Sequence, residues 1–285
     1  MGKPAIDSLP CTAGIGLRAP HYHEVLQKLP KLGWVEVHSE NFFGGGSPLR
    51  TLLKVREHYP VSLHGVGMGL GSTAPLDPAH LSALQRLCDA VHPAAVSEHL
   101  CWNSAPGMTI NDPMVINDLL PFPYTQQALS NVASRVEQVQ EKLGRQLLVE
   151  NLSSYLSFAH SEMSEGEFLA ELTRRTGCGI LFDVENLYVN GRNLGVNAEA
   201  FIKAIPAEAV KEYHLAGFSV REGCLHTQRG GRHFLRRTER SRPQPSLVLG
   251  PAAGRVVAGE SLAMVYGFLA GKAIAGIRLE LPGEL

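Results

Sequence analysis

Short apolar runs recur along the chain, and most of them are continuous rather than strictly alternating. The runs lie at 14–18, 34–40, 61–66, 95–100, 147–151, 180–184 and 212–216. Continuous apolar runs are typical of strands that are buried on both faces of a parallel sheet. The pattern therefore predicts seven strands of this kind.

Amphipathic segments with helix-capping residues lie between these runs. The residues expected to begin helices are Asp77, Thr125, Ser164 and Asn197. Pro78 follows the first of them at the position where a helix tolerates proline, and Glu167 completes a capping box with Ser164. Gly177 stands where a helix end favours a left-handed residue. Strands and helices are thus predicted to alternate.

This alternation predicts an α/β fold with a parallel sheet and right-handed crossovers. Seven strands favour a (β/α)8 TIM barrel over an open sheet, in which a phosphate-binding fingerprint would follow the first strand. A glycine-rich stretch at 65–71 follows a strand, but it is not GxGxxG, and there is no P-loop. The first seven strand–helix units are expected to occupy 11–225.

The last part of the chain, 226–285, diverges from this pattern, and we expect it to be irregular or partly disordered. Seven arginines lie between Arg221 and Arg242, and strand-like pieces remain only at 246–249 and 276–281. The eighth barrel unit is the one this divergence affects. A change of coding frame after Leu225 is one hypothesis for this composition, and translating the alternative frames of the locus would test it.

Composition excludes several classes of protein. The chain has 285 residues, a formal net charge of −1, 44% hydrophobic residues and 19% charged residues, which is ordinary for a globular protein and excludes a disordered chain. No global charge favours nucleic acid, and no apolar run approaches the ~20 residues of a membrane span. The 5 cysteines are scattered, which predicts a reducing, cytoplasmic location.

Ligand-type side chains end most of the predicted strands. They are His64, His99, Glu150, Asp183 and His214, separated in turn by 35, 51, 33 and 31 residues. Each separation is about one strand–helix unit, so these side chains should meet at the C-terminal mouth of a barrel. Three imidazoles with carboxylates suit Fe, Mn, Zn or Co. The spacing therefore predicts a metal site.

Each of these residues also has a purely structural interpretation. A lone histidine in an apolar strand is often a satisfied core residue, and a lone Asp or Glu at a strand end can cap the next helix. Burying five of them together without a cation would cost several kcal/mol, which favours the metal site. His38 remains ambiguous, and His80, like the histidines at 58, 92 and 160, is expected at the surface.

Seven ordered motifs resemble one family, the multinuclear non-heme iron-dependent oxidative enzymes. The motifs are GIGLR at 14–18, GWVEVHSEN at 33–41, SLHGVG at 62–67, SEHL at 97–100, LVEN at 148–151, FDVEN at 182–186 and HLAG at 214–217. The resemblance runs from about residue 11 to about residue 225. This family, formerly uncharacterised, includes the methanobactin biosynthesis B protein.

The resemblance implies a xylose-isomerase-like TIM barrel that holds two or three iron ions. It implies an O₂-using oxidase that modifies cysteine residues of a short ribosomally made precursor peptide, which a small partner protein presents. The implied iron ligands are His64, His99, Glu150, Asp183, Asn186 and His214. Glu150, expected to bridge ions, and Asp183 are the implied catalytic carboxylates.

The resemblance fails near the end of the chain. The family continues into an Asp-Thr-His segment and a strand close to Ile-Glu-Trp-Asp, whereas this chain has LHTQ at 225–228 and no Asp after Asp183. His226 is a candidate to replace the missing histidine, and no Asp is present to replace the missing aspartate. Two alternatives therefore stay open: a degenerate member that binds metal or peptide without turnover, and a xylose-isomerase-like divalent-metal isomerase or hydrolase.

Overall fold

A computed structural model describes residues 9–104, 119–215, 217–221, 224–228, 247–249, 256–257 and 279–280. Seven strands fall on the predicted runs. They are β1 (Ala13–Gly16), β2 (Val35–His38), β3 (Val61–Gly65), β4 (Ala95–His99), β5 (Leu148–Glu150), β6 (Gly179–Asp183) and β7 (Val210–Leu215). Each lies within a residue or two of its predicted bounds, so the continuous apolar pattern located them correctly.

Helices connect these strands. They are α1 (Tyr22–Lys28), α2 (Gly46–Arg56), α3 (Pro78–Val91), α4 (Gln126–Leu143), α5 (Glu165–Thr176), α6 (Val184–Leu194) and α7 (Ala198–Ala204). The four predicted caps are confirmed, because the side chains of Asp77, Thr125, Ser164 and Asn197 each accept a hydrogen bond from the first turn. None of the described helices combines the length and apolar character that a membrane span requires.

The strands form a closed barrel in the order β1-β10-β7-β6-β5-β4-β3-β2. Strands β1 to β7 are parallel, and β10 (Leu247–Leu249) runs antiparallel to both β1 and β7. The fold is therefore a TIM-type (β/α) barrel whose eighth position departs from the regular pattern. An antiparallel strand can descend directly from the mouth of the barrel and needs no crossover helix.

Short strand pairs account for the other described residues of the C-terminal part. An antiparallel hairpin joins β8 (Gly217–Arg221) to β9 (Cys224–Gln228), and His226 pairs with Ser219 through the backbone of this hairpin. Two further strands, β11 (Val256–Val257) and β12 (Leu279–Glu280), pair in parallel. The remainder of 226–285, including the arginine-rich stretch, lies outside the described residues.

The parallel register brings the strand-end side chains to one level. Residues paired across neighbouring strands are His38 with His64, His99 with Glu150, and Asp183 with His214. Paired residues of a parallel sheet point to the same face, and residues two apart on a strand share that face. These side chains and those two residues before them therefore point into the barrel.

The main hydrophobic core lies between the sheet and the surrounding helices. It contains Val37 and Leu63 from the strands, Leu84 from α3 and Phe168 from α5, each 2% exposed or less. A smaller cluster at the opposite end of the barrel from the mouth contains Trp34, whose indole N–H donates to the Thr12 carbonyl at 3.0 Å. The helix layer thus fixes the strands on which the interior polar residues stand.

The glycine-rich stretch after β3 wraps around the side chains of Glu40 and Glu98. The Oε1 atom of Glu40 accepts from the backbone N–H groups of Val66 and Gly67 at 2.8 and 2.9 Å. Gly69 has φ +61°, and a side chain at Gly65 would collide with Glu98. The glycines are explained by this close approach and by one left-handed turn.

Arg135 of α4 fastens the end of this loop. Its guanidinium donates to the carbonyl of Leu70 at 2.8 Å, to that of Ser72, and to that of Ala74 at 2.7 Å. The side chain is buried, and burial lowers the pKa of Arg135. A buried cation that satisfies three carbonyls costs stability when it is removed.

We expect Arg135→Met to lower the free energy of unfolding by about 3 kcal/mol, because three buried carbonyl groups lose a charged donor. Chemical denaturation of the wild-type protein and the variant measures this difference. Arg174→Met is the matched control, since Arg174 forms only exposed ion pairs with Glu171. Equal destabilisation by the two substitutions would contradict the role given to Arg135.

Candidate metal centre

The five side chains predicted from strand ends meet in the barrel interior. They are His64 on β3, His99 on β4, Glu150 on β5, Asp183 on β6 and His214 on β7. All five are buried, with Glu150 and His99 0% exposed. Five neighbouring strands each contribute one residue, so the parallel register alone assembles the group.

One oxygen of Glu150 faces two imidazoles. Its Oε2 lies 3.2 Å from Nε2 of His64 and 3.1 Å from Nε2 of His99. The two imidazole rings are 4.5 Å apart between centroids. These three ligand atoms lie within 4.8 Å of one another, so they could hold one ion.

The other oxygen of Glu150 faces the opposite side of the cluster. Its Oε1 lies 3.4 Å from Nδ1 of His214, and Oδ2 of Asp183 lies 3.8 Å from the same nitrogen. Glu150, Asp183 and His214 also present ligand atoms within 4.8 Å of one another. Glu150 is therefore common to two groups, and each of its oxygens faces a different one.

Each imidazole is held by a neighbour through its other nitrogen. Nδ1 of His64 lies 2.8 Å from the Ser97 hydroxyl, and Nδ1 of His99 lies 3.0 Å from the Gly65 carbonyl. Because a carbonyl can only accept, His99 donates from Nδ1, and Nε2 is the nitrogen that faces Glu150. This arrangement is common among histidines that ligate metals.

Asp183 caps a helix and faces the cluster at the same time. Its Oδ1 accepts from the N–H of Asn186 at 2.7 Å at the start of α6, which confirms the capping alternative for one oxygen. Asn186 donates from Nδ2 to the Asn151 carbonyl at 2.8 Å. Within the described part of the chain, the buried Oδ1 of Asn186 has no hydrogen-bond partner, and its Nδ2 approaches Oε1 of Glu150 at 3.5 Å.

Glu36 on β2 binds the third imidazole from below. Its Oε2 lies 2.7 Å from Nε2 of His214. Burial by itself would raise the pKa of Glu36, but the neighbouring imidazole of His214 lowers that pKa to about 2. Glu36 is therefore an ionised acceptor, and Nε2 of His214 carries a proton.

His214 has a carboxylate on each side, Glu36 at Nε2 and Glu150 at Nδ1. Burial by itself would lower the pKa of His214, but the carboxylates of Glu36 and Glu150 outweigh burial and raise that pKa well above its ordinary value. Glu212 differs from Glu36, because burial and the charge of Glu36 raise the pKa of Glu212. A cluster that protonates a buried imidazole to balance its carboxylates provides a suitable place for a cation.

Metal ions fit the side chains that are present. The inward-facing atoms are three imidazole nitrogens and carboxylate oxygens, which divalent Fe, Mn, Zn and Co accept, whereas Mg²⁺ prefers oxygen alone. Each imidazole already has an outer partner on its second nitrogen. The geometry thus supports two adjacent ion positions that share Glu150.

Several buried residues were missed or misplaced by the sequence. His80 was expected at the surface, but it is 6% exposed, and this expectation was wrong. Its ring packs edge-on against Phe43 at 5.0 Å, and its Nε2 lies 3.7 Å from Glu40.

Glu36 and Glu212 were not predicted as site residues. Each stands two positions before a strand-end histidine, so strict period-two alternation could have indicated that they also face the interior.

The fold and the site together define the class of this protein. It is a (β/α) barrel with a candidate metal centre, formed by buried histidines and carboxylates at the strand ends. The profile of the family described as RiPP precursor modification enzyme MbnB/TglH/ChrH matches residues 12–232. The chain belongs to this family, whose members modify ribosomally made precursor peptides.

Similar proteins span most of the chain. A UPF0276 protein of Chromobacterium violaceum is 54% identical over 254 residues, covering 86% of this chain and 89% of that protein. A UPF0276 protein of an Anaeromyxobacter species is 50% identical over 207 residues, covering 72% of this chain and 71% of that protein.

Solved structures with lower identity also align with the chain. The 3-keto-D-glucoside 4-epimerase YcjR of E. coli is 14% identical, with a TM-score of 0.46 over 72% of this chain and 78% of that chain. Endonuclease IV of Thermus thermophilus is 18% identical, with a TM-score of 0.45 over 71% of this chain and 74% of that chain.

Glu165, the first residue of α5, supports the segment that follows Glu150. Its Oε1 accepts from the backbone N–H of Leu152 at 2.8 Å, two residues after the strand-end carboxylate. Burial raises the pKa of Glu165 to about 7, although the Leu152 hydrogen bond opposes the shift. Glu165 is therefore protonated in the folded protein over a range of pH in which the unfolded chain would ionise it.

This shift predicts how stability depends on pH. The pKa of Glu165 is raised in the folded state, so its contribution is complete below about pH 4.5 and is lost as the pH rises to about 7. In the wild-type protein, the free energy of unfolding should fall by about 3 kcal/mol between pH 4.5 and pH 8 because of Glu165. We expect this fall to be absent in Glu165→Gln, which cannot ionise. Urea unfolding in EDTA at several pH values measures it.

The matched control for this experiment is Glu162→Gln, because Glu162 is an exposed carboxylate three positions earlier. Its substitution should leave the slope of stability against pH unchanged. If the free energy of unfolding varies with pH in the same way in the wild-type protein and in Glu165→Gln, the prediction that Glu165 is buried in its protonated form is wrong.

Proposed function

We propose that this chain is a multinuclear, iron-dependent oxidase that uses O₂ to modify cysteine residues of a ribosomally made precursor peptide. The observation that carries the proposal is the placement of Glu150, whose two oxygens face two separate ligand groups. Membership of a precursor-modifying family supports the substrate class.

The proposed ligands follow from the two groups. His64, His99 and Glu150 hold one ion, and Glu150, Asp183 and His214 hold the other, with Glu150 as the bridge. Asn186 is the additional ligand, since its buried Oδ1 has no partner among the described residues. Mixed imidazole and carboxylate donors suit iron, and the two groups that share Glu150 would hold two adjacent ions.

Bound iron would supply the capacity to activate O₂ toward a cysteine thiol and its neighbouring carbon. The chain itself contributes a rigid set of donors on five parallel strands, each in a side chain buried from water. Glu150 and Asp183 contribute negative charge that keeps cations close together. Asp183 also positions Asn186 through the helix cap.

The mouth of the barrel is the proposed docking place of the peptide. Arg18, at the end of β1, approaches Nε2 of His38 at 3.2 Å, and the His38 ring lies 5.8 Å from that of His64. Arg18 and His38 therefore stand beside the first ion position. A small partner protein that presents the peptide completes the proposal, and the cytoplasm is its proposed location.

The first test is the iron content of protein purified without oxygen. We expect about two ions per chain in the wild-type protein, loss of both in Glu150→Ala, and loss of one or both in His214→Ala. Glu165→Gln is the control, because it replaces a buried carboxylate outside the two groups. Wild-type protein that folds but retains no iron under these conditions would contradict the proposal.

The second test separates an active oxidase from a degenerate member of the family. Iron-loaded protein is mixed with cysteine-containing peptides encoded beside its gene, and O₂ uptake, free thiol and peptide mass are followed. We expect O₂ uptake and thiol loss that require the peptide cysteine and disappear when it is replaced by serine. Iron binding without turnover of any such peptide would support the degenerate alternative instead.

A further inference from the structure

The interior of the barrel below the two ion groups contains a second, deeper set of polar side chains. These are Glu36, Ser62 and Glu212, all 2% exposed or less. We propose that Glu36 is a positioning residue that fixes the ring of His214 and strengthens ion binding by the Glu150–Asp183–His214 group. This inference rests on the proposed function, because it requires an ion at that group.

Glu36 reaches His214 across the barrel rather than along a neighbouring strand. In the barrel order, β10 and β1 lie between β7 and β2, which carry His214 and Glu36. Gly16 of β1 is paired with Glu36, so the interior position beside the carboxylate carries no side chain. A Cβ at Gly16 would instead meet the Arg18 guanidinium at 3.3 Å. The contact across the barrel joins Oε2 of Glu36 to Nε2 of His214 at 2.7 Å.

This contact decides which nitrogen of His214 faces the ions. With Nε2 bound to Glu36, Nδ1 is left at 3.4 Å from Oε1 of Glu150 and 3.8 Å from Oδ2 of Asp183. A free imidazole could rotate and present either nitrogen. Glu36 selects one orientation and one tautomer, which is the ordinary effect of a carboxylate partner on a metal-ligating histidine.

His214 also differs from the other two imidazoles in the charge of its partner. At hydrogen-bond distance, Nδ1 of His64 contacts the hydroxyl of Ser97 and Nδ1 of His99 contacts the carbonyl of Gly65, both neutral groups, and the Glu98 carboxyl lies farther from His99, at 4.0 Å. A carboxylate partner makes a ligating imidazole more basic than a neutral partner does. The Glu150–Asp183–His214 group therefore depends on its outer partner more strongly than the His64–His99–Glu150 group.

Glu212 is the second carboxylate of this deeper set, and Ser62 holds it. Ser62 donates to Oε2 of Glu212 at 3.2 Å, and Oε1 of Glu212 stays 3.9 Å from Nε2 of His214. Glu36, Glu212 and His214 could themselves surround an ion. Such an ion would have to displace the proton on Nε2, which the 2.7 Å hydrogen bond to Glu36 holds in place.

The test uses Zn(II) as a diamagnetic probe of the full chain. The number of bound ions and their affinities are measured by chelator competition in the wild-type protein, Glu36→Gln and Glu36→Ala. We expect Glu36→Ala to weaken one of the two ions about 10- to 100-fold. Glu36→Gln should weaken it less, because its amide oxygen still accepts from Nε2.

A second readout detects ring orientation directly. Zn(II)-loaded protein labelled with ¹⁵N-histidine should show a proton on Nε2 of His214 in the wild-type spectrum, assigned with His214→Ala. That signal should shift in Glu36→Gln and be lost or exchange-broadened in Glu36→Ala. Ser62→Ala, which removes only the contact to Glu212, should leave both the affinity and the His214 signal close to wild type.

The outcomes separate this inference from the proposed function. If the wild-type protein binds ions and Glu36→Ala leaves both affinities and the His214 signal unchanged, the role of Glu36 is overturned. If Glu36→Ala removes one whole ion and Glu212→Gln does the same, Glu36 and Glu212 are ligands rather than positioning residues. If the wild-type protein binds no ion, the proposed function itself fails. Glu36→Gln keeps the size of the side chain, so it provides the comparison if Glu36→Ala does not fold.

Discussion

The structure depends on one buried carboxylate, that of Glu150, which is fully enclosed and lies among three imidazoles. A carboxylate in such a place is unstable without positive charge beside it. The carboxylates of Glu36 and Glu150 raise the pKa of His214 despite its burial, which favours a charged imidazole beside Glu150. Asp183 and Glu36 add further carboxylates to the centre, which increases its need for positive charge. The imidazoles provide nitrogen donors on both sides of Glu150.

Parallel strands are the feature of the fold that makes this balance possible. Five consecutive strands, β3 to β7, each end at the same edge of the barrel and each present one polar side chain inward. The helix layer fixes these strands through an apolar core, so the donors need little reorganisation to accept an ion. The polar layer beneath these donors orients His214. Glu36, two residues before His38 on β2, contacts the His214 ring from this layer.

The sequence predicted those parts of the fold that local chemistry controls. Continuous apolar runs located β1 to β7, and the caps at Asp77, Thr125, Ser164 and Asn197 were confirmed. The convergence of the strand-end residues followed from spacing, whereas their roles as ligands remain a proposal. Glu36 and Glu212 were not predicted, because their importance comes from contacts across the barrel that strand spacing does not encode. His80 was misplaced for a similar reason, since Glu40 and Phe43 bury it beneath a loop.

The described side chains of the proposed centre all precede the divergent C-terminal part. Both ion positions are formed by side chains from His64 to His214, and all of these precede residue 226. The barrel closes through β10, which needs only three residues that pair on both sides. Loss of the Asp-Thr-His and Glu-Trp-Asp segments therefore removes potential further ligands without removing the shared carboxylate. In the proposed centre of two ions, Glu150 is the residue that both ions would share.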